Sequence, residues 1–119
     1  MRRVFIIHGW GGYPEEGWFP WLKKELSKRG IETEILPMPG AEKPVIAKWV
    51  SFIMEKVGNP NKNTSFVGHS IGCQAILRYL EKLPPGIRVG KVILVAGWIV
   101  LKVNNEEEQK TVKPWLETP

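Results

Sequence analysis

No aspartate occurs among the 119 residues, so all twelve acidic residues are glutamates. Cysteine occurs once, at Cys73, and histidine twice, at His8 and His69. A single cysteine excludes an internal disulfide, and with it the class of small secreted domains stapled by such bonds. One cysteine and two separated histidines offer no ligand spacing for a metal. No apolar run approaches the roughly 18 residues of a membrane-spanning helix. Met1-Arg2-Arg3 is followed only by Val4 to Ile7, whereas a secretory signal carries an apolar region of about 7–15 residues. These absences predict a cytoplasmic protein that does not engage a membrane.

Other absences narrow the chemistry. His8-Gly9-Trp10-Gly11-Gly12 is not a dinucleotide fingerprint, because the third glycine of G-x-G-x-x-G would fall at position 14, where Pro14 stands. No phosphate loop, internal repeat or low-complexity tract is present. The net charge of +5 and isoelectric point near 9.5 raise nucleic acid as a partner, yet the charges form no stripe. Lys23, Lys24, Lys28 and Arg29 share a segment with Glu25, and Lys102, Lys110 and Lys113 surround Glu106 to Glu108. Solvated faces account for them, and no nucleic-acid partner is expected.

What is present reads as one α/β unit. The 43% hydrophobic and 24% charged contents are those of a globular chain long enough to bury a core. A strand is expected near residues 3–7, then a helix from Trp18 to Arg29 ending at Gly30, with Glu25 supporting Arg29 at i, i+4. Ile31 to Leu36 reads as the second strand. Pro44 is placed to open a helix whose Ile46, Trp49, Val50, Ile53 and Val57 form one stripe before Gly58. After the Asn59 to Asn63 turn, Thr64 to Val67 is a strand, and Cys73, Ile76, Leu77, Leu80 and Leu83 recur at helical spacing. Pro84-Pro85-Gly86 ends that helix, and Lys91 to Ala96 is a continuous apolar strand. Strands alternating with helices predict a doubly wound parallel sheet of order 2-1-3-4, through right-handed crossovers.

The chemistry lies in two glycine-rich turns. Gly68-His69-Ser70-Ile71-Gly72, between a strand and a helix, has the pattern of a nucleophile elbow, a sharp turn that exposes Ser70. His8 to Gly12 leaves the end of the first strand. Order 2-1-3-4 brings both turns to the switch point at the carboxyl ends of strands one and three, where such sheets bind ligands. In acyl transfer the N–H after the nucleophile, here Ile71, and an N–H from another loop, Trp10 or Gly9, would stabilise the oxyanion. His8, Gly11, Gly12, Gly68, His69 and Gly72 would support the site. Read structurally, the same glycines only permit tight connections. Cys73 is read as a small buried residue, and Gly97-Trp98 as a possible edge of the site.

Taken together, His8-Gly9-Trp10, Pro14-Glu15, Trp18-Phe19-Pro20-Trp21-Leu22, Pro37 to Pro39, Trp49 and Gly68 to Gly72 resemble the small α/β-hydrolase serine hydrolases that include retinoblastoma-binding protein 9. The resemblance extends to about Trp115. It implies hydrolysis of an ester or amide bond in a small acyl substrate by a Ser-Asp/Glu-His triad, with no metal or organic cofactor.

The triad order of such enzymes puts the acid and then the histidine after the serine. Here Ser70 is followed only by Glu81, Glu106 to Glu108 and Glu117, and by no histidine. Residues 1–119 are therefore read as a single, C-terminally incomplete α/β-hydrolase domain, with 98–119 an irregular or helical excursion. His8 as the base would have to reach Ser70 from the neighbouring strand; its alternative task is to hold the oxyanion loop through a ring hydrogen bond. His69 directly precedes Ser70, so alternation turns its side chain away. Two functions remain, a serine hydrolase and a noncatalytic binding protein on the same fold. The fourth strand, apolar and at the end of the sheet, predicts self-association through its edge.

Overall fold

The computed structural model describes residues 1–96 together with Pro114 and Trp115. Four strands, β1 (Arg3–Ile7), β2 (Glu32–Leu36), β3 (Thr64–His69) and β4 (Val92–Val95), alternate with α1 (Phe19–Lys28), α2 (Ile46–Val57) and α3 (Ile71–Glu81). All strand pairs are parallel, in the order β2-β1-β3-β4. Val4 lies beside Thr33 and Ser65, and Phe66 beside Val92. The expected α/β architecture and strand order are those observed.

Alternation along the strands divides the core in two. Phe5, Ile7, Leu36 and Phe66 face α2 and α3, joined by Trp49, Ile53, Ile76 and Tyr79. Val4, Ile6 and Val67 face the other way, with Phe19 and the half-buried Trp18 and Leu22 of the α1 region. Burial of each such side chain contributes about 1.5–3 kcal/mol, so the larger first cluster carries most of the fold. Trp115 belongs to it. Its indole meets Trp49 edge-on at 5.8 Å, donates to Pro44 O at 3.1 Å, and its carbonyl accepts from Arg78 at 2.7 Å. Burial lowers the Arg78 pKa, against a smaller opposing pull from Glu81.

Several boundaries differ from the sequence reading. Trp18 caps α1 rather than beginning it, and Arg29 is its C-cap, so Glu25 pairs with Lys28 at 3.5 Å instead of Arg29. Ile31 stays outside β2 because its N–H returns to Leu26 O. Pro44 does not open α2: Val45 is the extended N-cap, and the Pro44 carbonyl is taken by Trp115. β3 runs on to His69. Leu77 is 45% exposed, since the buried arc of α3 runs through Gly72, Ala75, Ile76 and Tyr79 and Leu77 lies about 100° around from Ile76. β4 begins after Lys91, whose N–H goes to the Ser65 hydroxyl, and ends at Val95, before Ala96 turns away with φ 53. Nor is β4 buried as a central strand would be. Gly97, Trp98 and the 98–119 excursion lie outside the described residues, Pro114 and Trp115 excepted.

Candidate active site

Ser70 occupies the single residue between β3 and α3, with φ 55 and ψ −122. An L-residue in this region of backbone space stores about 1–3 kcal/mol of strain, so the surrounding contacts must hold it. The Ser70 N–H donates to Val95 O at 2.9 Å, and the Ser70 carbonyl accepts the Cys73 N–H at 3.0 Å. Both motif glycines are required by close approach. A β-carbon on Gly68 would stand 2.8 Å from Ile76 Cδ1 and 3.0 Å from the Cys73 backbone. One on Gly72 would run into the carbonyl oxygens of Ile7 and His8, where α3 crosses β1. Cys73 is buried beneath the turn, its thiol directed at Val95 O and its pKa pushed up by desolvation.

The His8 to Gly12 loop arrives at the same end of the sheet. A β-carbon on Gly9 would be 3.1 Å from Ser70 Cβ and 3.2 Å from the His69 carbonyl, so the loop backbone lies directly against the elbow. Gly11, at φ 71, donates its N–H to Ala41 O at 2.7 Å, and Gly12 donates to Gly9 O at 3.0 Å. Those two N–H groups are engaged in the scaffold. Gly9 and Trp10 are the loop residues left to consider as oxyanion donors, opposite Ile71 at the first position of α3.

His8 does not have the geometry of a base. Its ring is 1% exposed; Nε2 accepts the Met38 N–H at 3.0 Å, and Nδ1 lies 2.9 Å from Gly9 O. An amide N–H can only donate, so Nε2 is unprotonated and Nδ1 carries the proton given to Gly9 O. Neither nitrogen retains a lone pair for a serine proton. Desolvation lowers the His8 pKa, outweighing the hydrogen bond to Gly9 and the field of Glu16, and favours the neutral ring. His69 lies on the α1 face, edge-on to Trp18 at 6.1 Å and Phe19 at 6.0 Å. Among the described residues after Ser70 the one carboxylate is Glu81, the last residue of α3, about 15 Å along the helix axis. No cluster of three metal-ligating side chains occurs among the described residues.

Sequence reasoning missed the partner of the glycine-rich loop. The segment between β2 and α2 meets it at three points, Met38 N–H to His8, Ala41 O to Gly11 and Glu42 O to the Trp10 indole at 2.7 Å, and is itself tied to α2 by Pro39 O, which accepts from the Trp49 indole at 2.7 Å. All but the histidine contact use backbone carbonyls, which carry no residue signature. Only Pro37, Pro39 and Gly40 mark the segment as irregular.

A strained serine between strand and helix, with a second glycine loop against it, has counterparts in known proteins. A family model described as serine hydrolase matches residues 4–117. The chain belongs to the serine hydrolase family. It is 40% identical over 97 residues to YdeN of Bacillus subtilis (strain 168), a match covering 82% of this chain and 51% of YdeN. The crystal structure of the ydeN gene product from B. subtilis superposes with a TM-score of 0.86 at 33% identity, over 100% of this chain and 62% of that one. The chain thus spans about half the length of the relative it matches in sequence, and the resemblance seen in its motifs is a family relationship.

Proposed function

We propose that this chain is the nucleophile-bearing part of a serine hydrolase that cleaves an ester or amide bond in a small acyl substrate. Ser70 Oγ attacks the carbonyl carbon; its proton passes to a base, and the alcohol or amine leaves carrying a proton in return. Water then releases the acid from the acyl-serine. The oxyanion of each tetrahedral intermediate is held by the Ile71 N–H and by the N–H of Trp10 or Gly9. His8 positions this loop as a neutral ring. The base and its orienting acid are not among the described residues, so the reading expects them from sequence that longer relatives possess. The reaction needs no cofactor. The observation that carries the reading is the strained φ of Ser70 with Gly9 packed against it.

The test compares turnover of a short activated ester by the 119-residue chain and by a chimera extended with the part of YdeN outside the match, each with Ser70→Ala. The unextended chain is expected to be nearly inactive, because loss of a triad histidine costs on the order of 10⁶ in kcat in a serine protease. The chimera is expected to turn over and to lose this with Ser70→Ala. A chimera indifferent to Ser70→Ala overturns the assignment. A chimera that binds acyl ligands without turnover favours a noncatalytic binding protein on the same fold.

A further inference from the structure

We propose that the Trp10 side chain is a positioning residue: its indole N–H, held on the Glu42 carbonyl, lets the turn between β2 and α2 set where the oxyanion donor of the glycine-rich loop stands. The proposal rests on the hydrolase reading. It also chooses between the two donors that the loop leaves free.

A trans peptide plane carries its C=O and N–H on opposite edges, so a held carbonyl aims the N–H of the next residue. The Gly9 N–H shares a plane with the His8 carbonyl, which stands over Gly72, where a β-carbon would lie 2.7 Å from that oxygen. The Gly9 N–H therefore points away from α3, and away from the Ile71 N–H with which it would have to converge. The Trp10 N–H shares a plane with the Gly9 carbonyl, which takes two bonds inside the loop, from His8 Nδ1 at 2.9 Å and from the Gly12 N–H at 3.0 Å. The Trp10 N–H is thus aimed out of the loop, and among the described residues no acceptor takes it. Trp10 is the donor that this backbone presents.

Direction comes from the loop, and position comes from the turn. The Lys43 N–H closes the turn on Gly40 O at 2.9 Å, and its two middle carbonyls both reach the loop: Ala41 O takes the Gly11 N–H at 2.7 Å and Glu42 O takes the Trp10 indole at 2.7 Å. One such bond is a pivot. Two, from adjacent residues to adjacent carbonyls, stop rotation about either. The turn is itself tied down, by Pro39 O to the Trp49 indole at 2.7 Å and by Pro44 O to the Trp115 indole at 3.1 Å. On its other side the loop rests on the elbow, where a β-carbon on Gly9 would be 3.1 Å from Ser70 Cβ. The distance from Ser70 to the donor is therefore set jointly by the elbow and by this two-bond clamp. Rate is sensitive to that distance, since misplacing a reacting or stabilising group by about 1 Å costs up to about 10²-fold. Folding is not. The indole bond is exposed, so water can replace it on the Glu42 carbonyl at little cost in stability.

The experiment uses the chimera of the chain with the part of YdeN outside the match, and Trp10→Phe, which keeps an aromatic ring and removes the N–H. On p-nitrophenyl butyrate, kcat and kcat/KM should fall together by about tenfold with KM unchanged, the mark of an interaction made only in the transition state. Butylboronic acid, whose tetrahedral adduct on a serine puts an oxygen in the oxyanion position, should bind the same variant about tenfold more weakly. The urea midpoint should not move. Trp21→Phe, which removes an exposed indole N–H from α1, should change none of these. Equal kcat and equal boronate affinity in Trp10→Phe and its parent, or an effect matched by Trp21→Phe, overturns the proposal and leaves the hydrolase reading standing. So does a loss confined to KM, or one that tracks the urea midpoint, since Trp10 would then only shape or stabilise the loop. Where turnover is absent but the boronate binds through Ser70, its affinity for Trp10→Phe decides alone. A chimera whose turnover and boronate binding are both absent or indifferent to Ser70→Ala strikes the hydrolase reading, and the proposal with it.

Discussion

The two faces of the sheet differ beside β3, although Phe66 and Val67 are both buried. Toward α2 and α3, Phe66 is fully buried against Tyr79 at 5.4 Å, and Gly68 and Gly72 let α3 touch the sheet backbone. Toward α1, Val67 borders a groove whose far wall is a half-exposed β4. The Ser70 turn is fixed by the seating of α3 and the loop held by His8 on the closed side, and within the sheet by the Ser70 N–H bond to Val95 O on β4. The proposed nucleophile, Ser70, and the proposed oxyanion donors are thus brought together by contacts within the described residues.

The closed side should break first and most severely. In Gly72→Ala the new methyl meets two backbone carbonyls, of Ile7 and His8, that cannot rotate away. Helix α3 must lift off β1, at a cost of about 3 kcal/mol. Urea unfolding should show a midpoint shift of that size, and an unchanged midpoint would mean that α3 is not seated on β1 as described.

The His8 anchor sharpens the comparison through pH. Burial holds its pKa below the ordinary value of 6.5, so the unfolded chain binds a proton that the folded chain refuses. Stability from this group is full above about pH 6.5 and falls as the pH drops, with a slope of at most about 1.4 kcal/mol per pH unit. The fall levels off below the folded pKa. Urea midpoints between pH 7.5 and 5.5 should follow this course, and His8→Asn, though less stable throughout, should lose this part of the slope. An identical slope in His8→Asn would show that the ring does not resist protonation.

The closed side was also the more legible in sequence. Period-two and helical spacing around Phe5, Trp49 and Phe66 gave the layers, and strand, glycines and helix around Ser70 gave the elbow. Those signals are local, so one sequence suffices to read them. β4 was placed correctly at the sheet edge, but its buried-strand pattern and the position of Leu77 on the apolar stripe of α3 overstated burial, because hydrophobicity reports what a residue would gain by burial, not whether a neighbour exists to bury it. Trp115 and the Met38 to Glu42 strap escaped for a different reason: their contacts join segments 10 to 71 residues apart, through backbone atoms that every residue type possesses.

A smaller effect isolates the strain at the turn. Ser70→Ala and Ser70→Gly both remove the hydroxyl, but only glycine adopts φ 55 and ψ −122 without a steric penalty. Ser70→Gly should exceed Ser70→Ala in unfolding free energy by about 1 kcal/mol, after the greater freedom of glycine in the unfolded chain is deducted. Thermal melts of the two variants decide it. Equal stability would mean that the elbow relaxes once the serine is gone.

The smallest effect belongs to the open side. Ile93 is 51% exposed, and its side chain enters a groove rather than a closed core. Ile93→Lys removes little buried area, and the long methylene stem can lie along the same surface with its ammonium in water. The expected change in unfolding free energy of the isolated chain is within about 0.5 kcal/mol. Phe66→Ala on the opposite face, by contrast, should cost about 3–5 kcal/mol. Measured side by side by urea unfolding at several protein concentrations, the pair tests whether the two faces differ as their burial says. A loss of more than 2 kcal/mol in Ile93→Lys that grows with protein concentration would mean that the wild-type groove is already filled by another copy. The same loss independent of concentration would mean that the chain itself covers the groove, and the contrast between the two sides of β3 would vanish.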